Sequence, residues 1–172
     1  MVNDLLPLSA ALPRFAAVGA GRMGRGIAIA FAYAGHRISL IDLRQRSEEA
    51  WDRLCNEASA EIEGALGGLA QLGVIDAAQV LAIAARVEFV SASGAPQALA
   101  AAELVFEGVP ETMAAKREAF EQLNRHCRDD AILTSTTSSI LVTQLAAMVR
   151  LSAICAGVIF AAAASRAMAV LF

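Results

Sequence analysis

Phe15-Ala-Ala-Val-Gly19-Ala-Gly21-Arg22-Met23-Gly24-Arg-Gly26 is the stretch on which the fold turns. A short apolar run, Phe15 to Val18, breaks into glycines. Met23, Ile27, Phe31 and Ala34 then recur at helical spacing until Gly35 stops the helix. Arg37 to Ile41 reads as a second strand ending at Asp42, so the first 42 residues form one βαβ unit with a parallel sheet implied. In that setting each glycine has a task. The first permits the tight turn, the second lets the backbone approach a pyrophosphate, and the third allows close packing of helix on sheet, with the helix N-terminus facing the anion. Arg22 and Met23 complete the turn, and Asp42 stands where a carboxylate accepts hydrogen bonds from the hydroxyls of an adenosine ribose. The competing reading of Gly19, Gly21 and Gly24 is a tight βα turn that holds no ligand.

The acid at position 42 also selects among dinucleotides. It repels a 2′-phosphate, which favours NAD over NADP, although Arg44 and Arg46 nearby keep the second cofactor in view. FAD, whose proteins share this turn, is the weaker rival.

Outward from the turn the alternation of strand and helix continues. Ser47 to about Leu72 is helical in pattern, with Trp51, Leu54, Ala58, Ile62 and Leu66 on one face, and Gly64, Gly67 and Gly68 weaken its end. Asp76 caps a helix through Ala85, Val87 to Val90 and Leu104 to Val109 are strand-like, and a turn at Ser91 to Gly94 leads into a short alanine-rich helix. After Pro110 comes a helix whose buried stripe is Met113, Phe120, Leu123 and Cys127. Ala131 to Leu133 is a strand, Thr134 to Ser139 a hydroxyl-rich loop, Leu141 to Val149 a helix, Ile154 to Phe160 a buried strand and Ala161 to Leu171 an apolar helix. The whole predicts an α/β, Rossmann-type doubly wound, mostly parallel sheet with helices on both faces. Residues 1–13 form an extension, 14–150 the dinucleotide-binding domain and 151–172 an apolar end.

Composition narrows the function classes. With 172 residues, 57% of them apolar and 18% charged, the chain suits one domain with a normal core. A net charge of −3 and a single lysine, Lys116, leave no basic stripe for nucleic acid. Cys55, Cys127 and Cys155 are widely spaced and have only His36 and His126 as nitrogen ligands, which argues against a metal and for reduced cysteines in a cytoplasmic protein. The stretch 151–172 carries one charge, Arg166, and could just span a bilayer, but Gly157 and Ser165 interrupt it and no basic cluster flanks it, so a membrane anchor is the weaker reading.

With these residues placed, the chain resembles the N-terminal NAD-binding domain of the 3-hydroxyacyl-CoA dehydrogenase family over about residues 14–150. The resemblance is carried by Val18-Gly-Ala-Gly-Arg-Met-Gly-Arg-Gly26, Asp42, Phe106-Glu-Gly-Val-Pro-Glu111, Lys116 five residues later, and Thr134-Ser-Thr-Thr-Ser-Ser139. It implies that Glu111 and Lys116 line the nicotinamide ribose and that Ser138 hydrogen-bonds the 3-hydroxyl or keto oxygen of a 3-hydroxyacyl substrate. Taken without the resemblance, Glu111 is a helix-capping acid, Lys116 sits on a solvated face and Ser138 is turn chemistry.

Two departures from the family pattern stand out. No Lys or Arg lies between Arg53 and Arg86, while Glu57, Glu61, Glu63 and Asp76 make that segment acidic. The phosphates of CoA would meet no cation there, so an acyl-CoA substrate is less secure than the NAD cofactor, and a dehydrogenase of a free 3-hydroxy acid of the gulonate or carnitine type, which shares the fold and motifs, is the alternative. The family's general base is a histidine after the hydroxyl-rich loop. Ungapped counting from Ser138 puts Ile159 at its place, and no His, Asp or Glu follows Asp130. That predicts a catalytically silent NAD-binding module as the alternative to an active dehydrogenase. His126, at a helix end, is a poor substitute. The change in character after Arg150 predicts a truncated or frame-shifted end, without the helical domain that in the family completes the substrate cleft and forms the homodimer.

Overall fold

The computed structural model describes residues 14–149 and the two-residue strand Ile154–Cys155. In chain order the elements are β1 (Phe15–Val18), α1 (Arg22–Tyr33), β2 (Ile38–Ile41), α2 (Glu48–Gln71), α3 (Val80–Ala84), β3 (Val87–Val90), α4 (Ala95–Ala101), β4 (Leu104–Glu107), α5 (Met113–His126), β5 (Ile132–Ser135), α6 (Val142–Ala146) and β6 (Ile154–Cys155). The strands form one sheet in the order β3-β2-β1-β4-β5-β6, every neighbouring pair parallel. This is the doubly wound arrangement, whose order reverses between β1 and β4.

Alternation along β1 shows how the sheet is clad. Ala16 and Val18 point into a core built with α4, α5 and α6, through Leu99, Phe120, Leu123 and Leu145. Phe15 and Ala17 point the other way, into a core built with α1, α2 and α3, through Ile27, Ile62, Leu66 and Ile83. A strand covered on both faces is apolar throughout, as β1 is. α2 runs unbroken to Gln71 through Gly64, Gly67 and Gly68, because burial of Ile62, Leu66 and Leu69 outweighs the weak helix propensity of the glycines. Ser47 starts it, its Oγ accepting from the Ala50 amide at 3.3 Å.

Several sequence expectations shift. Asp76 and Gln79 form a capping box, but the segment they open begins as a 3-10 turn, Ala77–Gln79, before α3. Thr134 and Ser135 belong to β5 rather than to the loop, because partners are available inside the sheet: Thr134 Oγ1 donates to the Val105 carbonyl at 3.2 Å. β4 stops at Glu107, whose side chain accepts from the Val109 amide at 2.7 Å and so turns the chain. Phe120, Leu123 and, at the end of α5, Cys127 are buried as expected, Lys116 and Ala119 complete the buried stripe, and Met113 is exposed. Lys116 lies inside because the carboxylate of Glu107 waits beneath it. α6 spans five residues, shorter than the helix expected over 141–149. The extension expected over 1–13, the rest of the strand expected from Ile154 to Phe160, the apolar helix expected from Ala161 to Leu171 and the position of Ile159 fall outside the described residues.

Among the described residues no helix is long and apolar enough to cross a membrane, and no group of three or more His, Cys, Asp or Glu side chains could hold a metal ion.

Candidate dinucleotide-binding site

The glycine turn lies where the strand order reverses. The Gly19 amide donates to the Ile41 carbonyl and the Gly108 amide to the Val18 carbonyl, both at 2.8 Å, so the end of β1 is held by the chain leaving β2 and β4. Gly19 has φ +105°, and a Cβ there would stand 2.7 Å from the Gly108 carbonyl oxygen. A Cβ on Gly24 would stand 1.9 Å from the Gly19 carbonyl oxygen and 3.1 Å from Leu40 Cδ1, so this glycine lets α1 lie against the turn and the sheet. A Cβ on Gly21 would meet nothing within 4 Å. Gly21 is the N-cap of α1, and no side chain caps that end. An open backbone at an uncapped helix N-terminus suits a pyrophosphate. Arg25 braces the turn: its Nε donates to the Ala20 carbonyl at 3.0 Å and its guanidinium pairs with Glu61 of α2.

Asp42 leaves β2 nearly buried, 6% exposed, its amide donating to the Val90 carbonyl at 3.0 Å. Arg46 Nε pairs with Oδ2, and the Arg44 amide donates to Oδ1 at 3.4 Å.

Across the groove, two acids meet one lysine. Glu107 is fully buried at the end of β4 and accepts from Lys116 Nζ through both oxygens, at 2.9 and 2.8 Å. Ser135 Oγ donates to the same carboxylate at 2.6 Å. Lys116 Nζ also lies 3.1 Å from Glu111 Oε2. The other oxygen of Glu111 gathers the loop after β5: it accepts from Thr137 Oγ1 at 2.5 Å, the Ser138 amide at 2.9 Å, the Ser139 amide at 3.0 Å and Ser139 Oγ at 3.1 Å. Partial burial opposes the charge of Glu111, but the hydrogen bonds from Thr137, Ser139, Ser138 and Lys116 outweigh it and hold the carboxyl well below its ordinary range.

These features share one groove of about 1080 Å³. Gly19, Gly21, Arg22, Met23, Asp42, Glu111 and Ser138 all line it. Gly24 and Lys116 do not, and both act from behind the wall, Gly24 by packing and Lys116 by fixing two carboxylates. The solvated face considered for Lys116 is wrong, since the residue is 0% exposed. His36 packs on the rings of Phe15 and Phe31, and His126 is in the last turn of α5; neither lines the groove. Sequence reasoning passed over Glu107 and Ser135 as site residues. The signal was present: an acid closing an apolar strand, in register with Val18 on one side and Ser135 on the other, repeats what Asp42 does at the end of β2.

Residues 14–168 match the model of the family described as 3-hydroxyacyl-CoA dehydrogenase, NAD binding domain. The chain belongs to that family. A probable 3-hydroxybutyryl-CoA dehydrogenase of Bacillus subtilis is 33% identical over 130 residues, covering 76% of this chain and 42% of the relative. The crystal structure of 3-hydroxybutyryl-CoA dehydrogenase from Escherichia coli K12 is similar with a TM-score of 0.67 and 32% identity, covering 82% of this chain and 28% of that one. That of Mycobacterium tuberculosis FadB2 gives a TM-score of 0.72 and 28% identity, covering 86% and 49%. This 3-hydroxyacyl-CoA dehydrogenase family member thus spans less than half the length of these relatives. Its cofactor is NAD, and the open backbone at Gly21, the uncapped start of α1 and the acid at Asp42 fit that group.

Proposed function

We propose that the groove at the β1/β4 switch point binds NAD(H) and presents it to a 3-hydroxyacyl or 3-ketoacyl substrate. The observation that carries this reading is the glycine turn, in which two glycines are closed to any side chain and the third is open to a ligand. Gly19, Gly21 and Gly24 with the N-terminus of α1 hold the pyrophosphate, Arg22 and Met23 flank it, and Asp42 takes the adenosine ribose. NAD, when bound, supplies hydride acceptance from, and as NADH hydride return to, the carbon that bears the substrate oxygen. Glu111 borders the nicotinamide end and fixes the loop that presents Ser138, whose hydroxyl orients that oxygen. Lys116 is a positioning residue, joining Glu111 to the buried Glu107.

The substrate is an acyl-CoA, in keeping with the names of the relatives; a free 3-hydroxy acid is the alternative, supported by the acids on α2 and the absence of Lys and Arg between Arg53 and Arg86. Oxidation of a hydroxyl needs a base for its proton, and no His, Asp or Glu follows Asp130. That supports a second reading, in which the chain as it stands binds NAD(H) without turning it over.

Titration calorimetry with NADH tests the cofactor reading. Asp42→Ala weakens binding by about tenfold or more, through loss of charge-assisted hydrogen bonds; an unchanged affinity sinks the ribose assignment. With acetoacetyl-CoA and NADH, turnover by this chain falls roughly 100- to 10,000-fold below that of a relative carrying the histidine. Comparable turnover would remove the second reading.

A further inference from the structure

The carboxylate at the ribose end of the groove does not stand alone. Asp42 is paired through Oδ2 with Arg46, and the backbone of Arg44 donates to Oδ1. Both arginines line the groove; Arg44 is exposed and the Arg46 side chain is 27% exposed. An acid in this place rejects a 2′-phosphate by repulsion between two anions. An arginine on that acid cancels much of the repulsion, and its fork of donors matches a phosphate as well as a carboxylate. Two carboxylate oxygens offer about four acceptor sites, so ribose hydroxyls can also share Asp42 with Arg46.

We propose that Arg46 sets the dinucleotide choice of this chain: it neutralises Asp42 in the free protein and turns to the 2′-phosphate of NADP(H), with Arg44 as second cation, so that the groove accepts NADPH beside NADH. The proposal rests on the assignment of Asp42 to the adenosine ribose.

The test is the affinity of the whole chain for NADH and for NADPH, measured by calorimetry at low and high salt, in the wild type and in Arg46→Ala, Arg46→Lys, Arg44→Ala and Asp42→Ala. In the wild type NADPH binds within about tenfold of NADH, and its affinity falls more steeply with salt. Arg46→Ala weakens NADPH by about tenfold or more and leaves NADH unchanged or tighter, Arg44→Ala has the same sign with a smaller effect, and Arg46→Lys lies between. Asp42→Ala weakens NADH and spares NADPH. Wild-type binding of NADH with NADPH more than about 100-fold weaker, or an Arg46→Ala variant with an unchanged ratio of the two affinities, overturns the proposal while leaving the ribose assignment intact. NADH binding that ignores Asp42→Ala removes that assignment, and the proposal with it.

Discussion

Lys116 is the residue whose environment departs most from its chemistry. Its ammonium is buried between Glu107 and Glu111, and removing it leaves the Glu107 carboxylate inside the protein with only Ser135 and the Val109 amide. Lys116→Met is predicted to cost about 3–5 kcal/mol in urea denaturation, and the double variant Glu107→Gln/Lys116→Met to recover most of it, because the uncompensated charge is gone. A single-variant cost below about 1 kcal/mol would mean that the pair is not buried in solution. Glu111 gives a pH signature. Its carboxyl is held below the ordinary value of 4.5, so the stability it contributes is complete above 4.5 and declines as pH falls from there towards the lowered folded value. The stability gap between wild type and Glu111→Gln is therefore full near about pH 6 and narrower near about pH 3. A gap of constant size across that range contradicts the clamp.

Two glycines in helices illustrate how packing gives the same substitution opposite signs. In α1, Gly24→Ala places a methyl group 1.9 Å from the Gly19 carbonyl oxygen, a backbone atom that cannot swing aside, so the helix must lift from the turn. The expected outcome is a loss of about 1–3 kcal/mol or more together with weakened NADH binding. In α2, Gly64 has nothing within 4 Å of a Cβ. Gly64→Ala should stabilise by about 0.5–1 kcal/mol, read as a raised midpoint in thermal denaturation. The repeating apolar positions of both helices were legible in the sequence, and so were the strands at Phe15–Val18 and Val87–Val90. The length of α2 was less so, since glycine propensity is local and the burial of Leu66 and Leu69 is not.

For the molecule as a whole, the groove is formed by chain leaving β1, β2, β4 and β5, so a ligand seated there bridges both halves of the sheet and binds only the folded chain. NADH at about 100 times its dissociation constant should add about 2.7 kcal/mol to stability, visible as a raised melting temperature that shrinks in Asp42→Ala. No shift at saturating NADH would contradict a preformed site.

The sequence by itself determined the parallel alternation, the glycine turn and the acid that follows β2, because these depend on neighbours within one βαβ unit. Only the tertiary structure decided that Lys116 is inside, that Glu107 and Ser135 belong to its site, that Glu111 holds the loop around Ser138 and that Arg46 occupies Asp42. The first three depend on the register of β4 against β5 and on α5 lying across both, pairings between segments far apart in the chain. The last depends on how the chain turns after β2, where side-chain direction rather than sequence spacing decides which charges meet.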